Sequence, residues 1–350
     1  MKTIYNDRHG AHAATHEFFR GQLVPAFEGP ARADCVLAAV QAAGLGPLLV
    51  PVDHGLVPLE QVHAPAYLRF VAGAWAEWQA LGGKGDAFPA VWPVRSLRSD
   101  VEPRSFAARM GLYSMDSGTP LTSGAWQAAY WGAQATLTGL HLLLGGDSSA
   151  YVLTRPPGHH AGADFFGGYC FVNNVAVAAQ AALDAGRKRV AILDVDYHHG
   201  NGTQAIFYQR ADVLYASVHG DPHTEFPFFL GHADETGAGA GLGFNANFPL
   251  PAGASNEVWF AALDAALVRV KAFAPDVLIV SLGVDTYCGD PISHFKLDRP
   301  EFSRLGQALA PLAVPTLFVQ EGGYATEAIG LNVLAVLQGF KQGVDSLLTA

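Results

Sequence analysis

Four short stretches carry most of the residues able to do acid–base or metal chemistry. Arg189 to Gln204, RVAILDVDYHHGNGTQ, passes from an apolar run into Asp194, Asp196, His198 and His199. Asp196 and His198 are two positions apart, so on an extended backbone both side chains leave from one face. An oxygen and an imidazole nitrogen aimed at one point begin a divalent metal site. RPPGHHA adds His159 and His160, GVD adds Asp285, and EGGY adds Tyr324 behind Gly322 and Gly323. Singly, each has a plain explanation: an isolated histidine is more often a satisfied core or surface residue, and an aspartate after a strand is most often a helix cap. Coincidence argues the other way, because each cluster follows a strand-like run and four such ends would meet at one edge of a parallel sheet. Asp196, His198 and Asp285 would then offer two carboxylates and one imidazole, leaving positions open for water and substrate. His159 and His160 could supply a general base and an electrostatic partner, tuned by Asp194 and Asn201. Tyr324 could donate its hydroxyl to an oxyanion.

The elements that must position these residues follow from the apolar pattern. Strands are expected at Thr3–Tyr5, Leu48–Val52, Ala150–Thr154, Val190–Val195, Val213–Val218, Val277–Leu282 and Thr316–Gln320. Helices are expected at Ala31–Ala43, Tyr67–Leu81, Ser123–Leu144, Asn173–Asp184, Ser255–Phe273, Glu301–Leu312 and near Ile329–Phe340. This alternation is that of a parallel α/β fold in one domain spanning residues 1–350. Gly82 to Pro120 has no clear period, and a loop of that length is expected to be a lid or an oligomer contact.

Composition bounds the function. Half of the 350 residues are apolar and 15% are charged, which supports a large core. A net charge of −10 argues against general nucleic-acid binding and is compatible with drawing in a cationic substrate. Cys35, Cys170 and Cys288 form no C-x-x-C, as expected of a reduced cytosolic protein without a thiolate zinc site. No apolar leader opens the N-terminus MKTIYNDRHG and no stretch reaches spanning length, so neither membrane nor secretion is expected and the cytoplasm is.

Taken in order, RPPGHHA, GGYCFVNN, ILDVDYHHGNGTQ, SVHGDP, SLGVDTYCGDP and EGGY resemble the arginase-related histone deacetylase superfamily. QLVPAFE (Gln22–Glu28) and HGDPHTEFPFFLGHADETG look most like its bacterial acetylpolyamine amidohydrolases. The resemblance implies a mostly parallel eight-stranded sheet with helices on both faces. It implies Zn²⁺ held by Asp196, His198 and Asp285, His160 as the main general base and acid, and His159 as chiefly electrostatic. Asp194 would support His159, Asn201 would support His160, and Tyr324 would polarise the scissile carbonyl together with zinc. Tyr169 and Phe226 would line a narrow tunnel beside Gly168, with Phe19 near its mouth. A structural K⁺ or Na⁺ would lie by Asp194, Asp196, His198, Ser217 and the Val218 backbone.

The pattern departs in the insert. Polyamine-specific relatives carry two glutamates there, at positions that fall on Ala107 and Gly118. Asp116, Glu102 or Glu17 could read a distal ammonium instead, or each could be a solvated surface acid. The expected substrate is thus a small acetylated amine, an acetylpolyamine or rather a short acetylated diamine such as acetylputrescine or acetylcadaverine, and the insert resembles the loop through which these bacterial enzymes form homodimers. Competing expectations are an acetyl-lysine deacetylase, a dimanganese ureohydrolase and a catalytically silent amine sensor.

Overall fold

The computed structural model describes residues 1–349. Its strands are β1 (Lys2–Tyr5), β2 (His16–Phe19), β3 (Gln22–Pro25), β4 (Leu48–Leu49), β5 (Ser149–Leu153), β6 (Val190–Asp194), β7 (Val213–Gly220), β8 (Asn245–Leu250), β9 (Val277–Leu282) and β10 (Thr316–Gln320). Helices are α1 (Ala31–Ala42), α2 (Val57–Glu60), α3 (Pro65–Ala80), α4 (Phe106–Leu112), α5 (Ala125–Leu144), α6 (Asn174–Asp184), α7 (Asn201–Phe207), α8 (Asn256–Phe273), α9 (Arg299–Leu309) and α10 (Thr326–Thr349). Eight strands form one sheet in the order β4-β1-β5-β10-β9-β6-β7-β8, and every neighbouring pair is parallel. β2 and β3 pair apart from it as an antiparallel hairpin.

The central strands are near-continuous apolar runs because both faces of the sheet are covered. In β5, Val152 faces the layer of α5 and α6, packing with Leu137 and Val175. Tyr151 and Leu153 face the opposite layer, with Val36 of α1, Leu263 of α8 and Val333 of α10. Truncating a fully buried member such as Phe318 to alanine is expected to cost about 3–5 kcal/mol. Side chains fix several helix starts: Asn173 accepts from Ala176 N, Ser255 accepts from Val258 N, and Asp298 forms a capping box with Glu301.

The expected fold class stands, with local differences. The strand expected at Leu48–Val52 pairs only over Leu48–Leu49; Pro51 has no N–H to offer, and Val50 and Val52 are exposed. The last helix runs well past Phe340, to Thr349. β2, β3, β8, α2 and α7 were not expected. The insert, read as aperiodic, contains α4, whose Phe106 and Met110 are buried against α3. Gly111 permits this: a Cβ there would lie 1.4 Å from the Val91 carbonyl oxygen. No described helix is long and apolar enough to cross a membrane.

Candidate active site

The carboxyl ends of β5, β10, β9 and β6, four consecutive strands of the sheet, carry RPPGHH, EGGY, GVD and DVDYHH. They meet where an open α/β sheet places its ligand crevice. One ligand atom from each of Asp196, His198 and Asp285 lies within 4.8 Å of the others, and all three residues are buried. His198 Nδ1 is 3.0 Å from Asp285 Oδ2 and 3.4 Å from Asp196 Oδ1. The remaining oxygens are held by backbone: Asp285 Oδ1 accepts from Tyr197 N at 2.8 Å, and Asp196 Oδ2 accepts from Gly322 N at 2.8 Å.

Burial alone would lower the His198 imidazole, and the two carboxylates outweigh it, holding it up at about 10. Burial, with Asp196 beside it, pushes Asp285 up to about 8. Two buried carboxylates thus compete for one proton on His198. A divalent cation replacing that proton would satisfy all three groups, and an Asp₂His set suits zinc. The donor set fits the metal.

Behind and beside this triad stand the paired histidines, their ring centroids 4.1 Å apart. His159 Nδ1 is 3.0 Å from Asp194 Oδ2, which also accepts from the Tyr215 hydroxyl at 3.0 Å. His160 Nδ1 is 2.7 Å from Asn201 Oδ1. Burial would lower both imidazoles. Asp194 and Asp196 overcome it at His159, which is raised to about 10, whereas His160 is driven well below its usual range, with His159 adding to the effect. Two adjacent histidines are therefore pushed in opposite directions by their surroundings, the pattern expected of a divided acid–base pair.

A cavity of about 660 Å³ reaches the triad at His198 and is lined also by His160, Asn201 and Tyr324, but not by His159. Phe19, Gly168, Tyr169, Phe226 and Asp116 all line it too. Tyr169 has φ +68 and its ring lies 5.5 Å from that of Tyr324; Phe226 stands edge-on to His160 at 5.0 Å. Gly168, at φ +53, is required on two counts, because a Cβ there would also stand 2.2 Å from the His160 ring. The Arg32 guanidinium lies over the Tyr324 ring at 4.7 Å and donates to the carbonyl oxygens of Glu321 and Gly323.

Of the three acids weighed for a distal ammonium, two reach the cavity. Glu17 is buried in its wall, accepting from the Tyr169 hydroxyl at 2.6 Å and from Phe27 N at 3.0 Å. Asp116 is occupied by backbone, its oxygens accepting from Gly118 N at 2.9 Å and Gly168 N at 2.5 Å. Glu102 does not line the cavity; it is exposed and lies 3.9 Å from Arg109, so it drops out. Among the residues expected from the resemblance to hold a monovalent cation, Asp194 and Ser217 stand opposite one another in the β6–β7 register. Ser217 Oγ is 2.7 Å from His219 Nδ1, and Val218 follows on the same strand.

Several participants have no spacing signal. Glu321 accepts from Gly158 N and His159 N at 2.6 and 3.2 Å, holding the tandem-histidine turn. Asp290 accepts from Tyr324 N at 2.7 Å. Glu28 bridges Arg155 and Arg32 beneath the site. EGGY, SLGVDTYCGDP and QLVPAFE contain these three acids, but only their surroundings reveal what they hold.

The histone deacetylase domain family matches residues 26–340. Acetylpolyamine amidohydrolase 2 of Pseudomonas aeruginosa is 54% identical over 341 residues, covering 97% of this chain and 99% of that one. Acetylpolyamine amidohydrolase of Mycoplana ramosa is 48% identical over 339 residues, with the same coverage. The crystal structure of acetylpolyamine aminohydrolase from Burkholderia pseudomallei superposes with a TM-score of 0.93 at 41% identity, covering 98% of this chain and 99% of that chain. With a family match across most of its length and relatives this similar end to end, the chain belongs to the histone deacetylase family.

Proposed function

We propose that the protein hydrolyses the acetamide of a small acetylated amine, an acetylpolyamine or a short acetylated diamine such as acetylputrescine or acetylcadaverine, to acetate and the free amine. The observation that carries this reading is the Asp196–His198–Asp285 triad, whose His198 lines one cavity with His160 and Tyr324. The names of the relatives similar over the whole chain support the substrate class.

Asp196, His198 and Asp285 would hold zinc, which when bound polarises the amide carbonyl and lowers the pKa of water. His160 receives the proton of the attacking water and returns it to the departing amine. Tyr324, its ring fixed by Arg32 and its backbone by Asp290, donates its hydroxyl to the carbonyl oxygen as that atom gains charge. Asp194 orients His159, whose part is electrostatic, and Asn201 orients His160. A structural K⁺ or Na⁺ beside Asp194, Asp196, His198, Ser217 and Val218 is in keeping with the Asp194–Ser217 pairing in the β6–β7 register.

Glu17 is the better ammonium reader of the remaining acids, because one of its two hydrogen bonds comes from the rotatable Tyr169 hydroxyl, whereas both Asp116 oxygens are claimed by fixed backbone N–H groups. Dimerisation through the insert is supported by its exposed Val91, Val94, Leu97 and Val101, and light scattering on the intact and loop-deleted chains tests it. Three free cysteines fit a reducing cytoplasm. The deciding experiment is metal analysis with turnover on acetylputrescine, acetylcadaverine, longer acetylpolyamines and an acetyl-lysine peptide. Preference for the peptide would replace this reading with a protein deacetylase, and zinc binding without any turnover would leave a sensor.

A further inference from the structure

We propose that Met115, a residue of the 82–120 insert, is a positioning residue for His160 and acts through the amide of Asn201. The inference rests on reading His160 as the proton carrier. Asn201 Oδ1 lies 2.7 Å from His160 Nδ1. An amide oxygen only accepts, so Nδ1 carries the proton and Nε2 keeps a free lone pair. An asparagine amide has nearly the same outline either way round. Turned over, it would present Nδ2 to Nδ1, the ring proton would move to Nε2, and no basic nitrogen would remain for a water.

The far end of the amide therefore decides the tautomer. There, Asn201 Nδ2 donates to Met115 Sδ at 3.2 Å and, more loosely, to the His160 carbonyl oxygen at 3.4 Å. Neither acceptor has a proton to give, so a flipped amide would set its oxygen against two electron-rich atoms. Met115 is the closer of the two, and it is the one the insert supplies.

Its location is built rather than incidental. Met115 N donates to the Phe166 carbonyl oxygen at 2.9 Å, and Phe166 N donates to that of Tyr113 at 2.8 Å. The next residue, Asp116, accepts from Gly168 N. Gly167 leaves the space the thioether occupies, since a Cβ there would stand 2.3 Å from Met115 Cγ. The same short segment thus grips the turn beside the His160 ring and selects the orientation of the group bonded to that ring.

The test compares Met115→Leu, which keeps the bulk and loses the acceptor, with Met115→Gln, which restores one. Long-range ¹⁵N–¹H NMR of the zinc-loaded protein reads the His160 tautomer, with the signal assigned by its loss in His160→Gln. Met115→Leu is expected to shift His160 away from a pure Nδ1–H form. Its kcat should fall about three- to tenfold with KM within about twofold, the scale of one weak hydrogen bond. Met115→Gln should restore both the tautomer and most of the rate. An unchanged tautomer in Met115→Leu overturns the proposal, whether or not the rate falls. Near-normal turnover by His160→Gln would overturn the proton-carrier reading instead, and the NMR result would still judge Met115.

Discussion

The backbone N–H of Gly322 donates to Asp196 Oδ2 at 2.8 Å, joining the turn after β10 to the turn after β6 across the intervening strand β9. A Cβ on Gly322 would stand 2.6 Å from that oxygen and 2.7 Å from Asp285 Oδ2. The glycine is thus needed for close approach to the two carboxylates. Gly322→Ala is expected to displace both and weaken zinc binding by about tenfold or more, as loss of a group that orients a ligand does. Chelator competition reads the affinity and thermal unfolding checks that the fold survives. Unchanged affinity would mean that the carboxylates tolerate the displacement.

Tyr324→Phe removes the hydroxyl while leaving the ring under Arg32. Turnover should fall by roughly two to three orders of magnitude, as when other oxyanion donors are removed. Zinc content should stay at the wild-type level, since Tyr324 is not among the triad. Near-normal turnover in a folded, zinc-loaded variant would remove the hydroxyl from the mechanism.

Glu28 makes the fold acid-sensitive. Its oxygens accept from Arg155 Nε and Nη2 at 2.7 and 2.5 Å and from Arg32 Nη1 at 2.8 Å. Burial would raise this carboxyl, but Arg155 and Arg32 outweigh it and hold it at about 2 against an ordinary 4.5. A depressed folded-state value means the stabilisation is complete above about 4.5 and is lost as pH falls towards about 2. Glu28→Gln strands two buried guanidinium groups and should cost about 3–5 kcal/mol at neutral pH. Urea unfolding at pH 7 and pH 4 should give a gap between wild type and variant that narrows on acidification. A gap that is constant with pH would contradict the assignment.

Glu17 gives a second pH effect, this time on substrate capture. Burial pushes its carboxyl up to about 7, against hydrogen bonds from Tyr169 and Phe27, with Glu28 and Asp116 the other carboxyls facing it. Its anionic fraction therefore rises as pH passes upward through about 7. KM for an acetylated diamine should fall between pH 6 and 8 (about one unit either side of that value), and KM for a neutral N-alkylacetamide of equal length should not. Glu17→Gln should remove the difference between the two substrates. Parallel KM profiles in wild type would assign the ammonium to another group.

The sheet and the meeting of the candidate site residues at its edge were legible because they share one cause. Strands covered on both faces become unbroken apolar runs, and the chemistry stands in the first turn beyond each, so β5, β6, β9 and β10 announced both themselves and their cargo. β2 and β3 were hidden because they pair apart from the covered sheet and are mostly exposed, so no buried apolar run marks them; the turn between them is Arg20–Gly21, where φ is +49 and +78. β8 was masked by Asn245 and Asn247, which are buried against Gln204 and Glu235 rather than exposed. Asp116 could be placed near the mouth from its position in the insert. Nothing in the sequence says that two backbone N–H groups claim its oxygens. Met115 and Glu321 act through partners more than fifty residues away in the chain, which no local period reports.

The most direct measurement is acetate release from acetylputrescine and acetylcadaverine by the zinc-loaded protein, its chelated form and Asp285→Asn. The expected result is turnover with zinc, none after chelation, recovery on adding zinc back, and none for Asp285→Asn in any state. Acetate release that survives chelation, or that Asp285→Asn retains, would contradict hydrolysis at the Asp196–His198–Asp285 site.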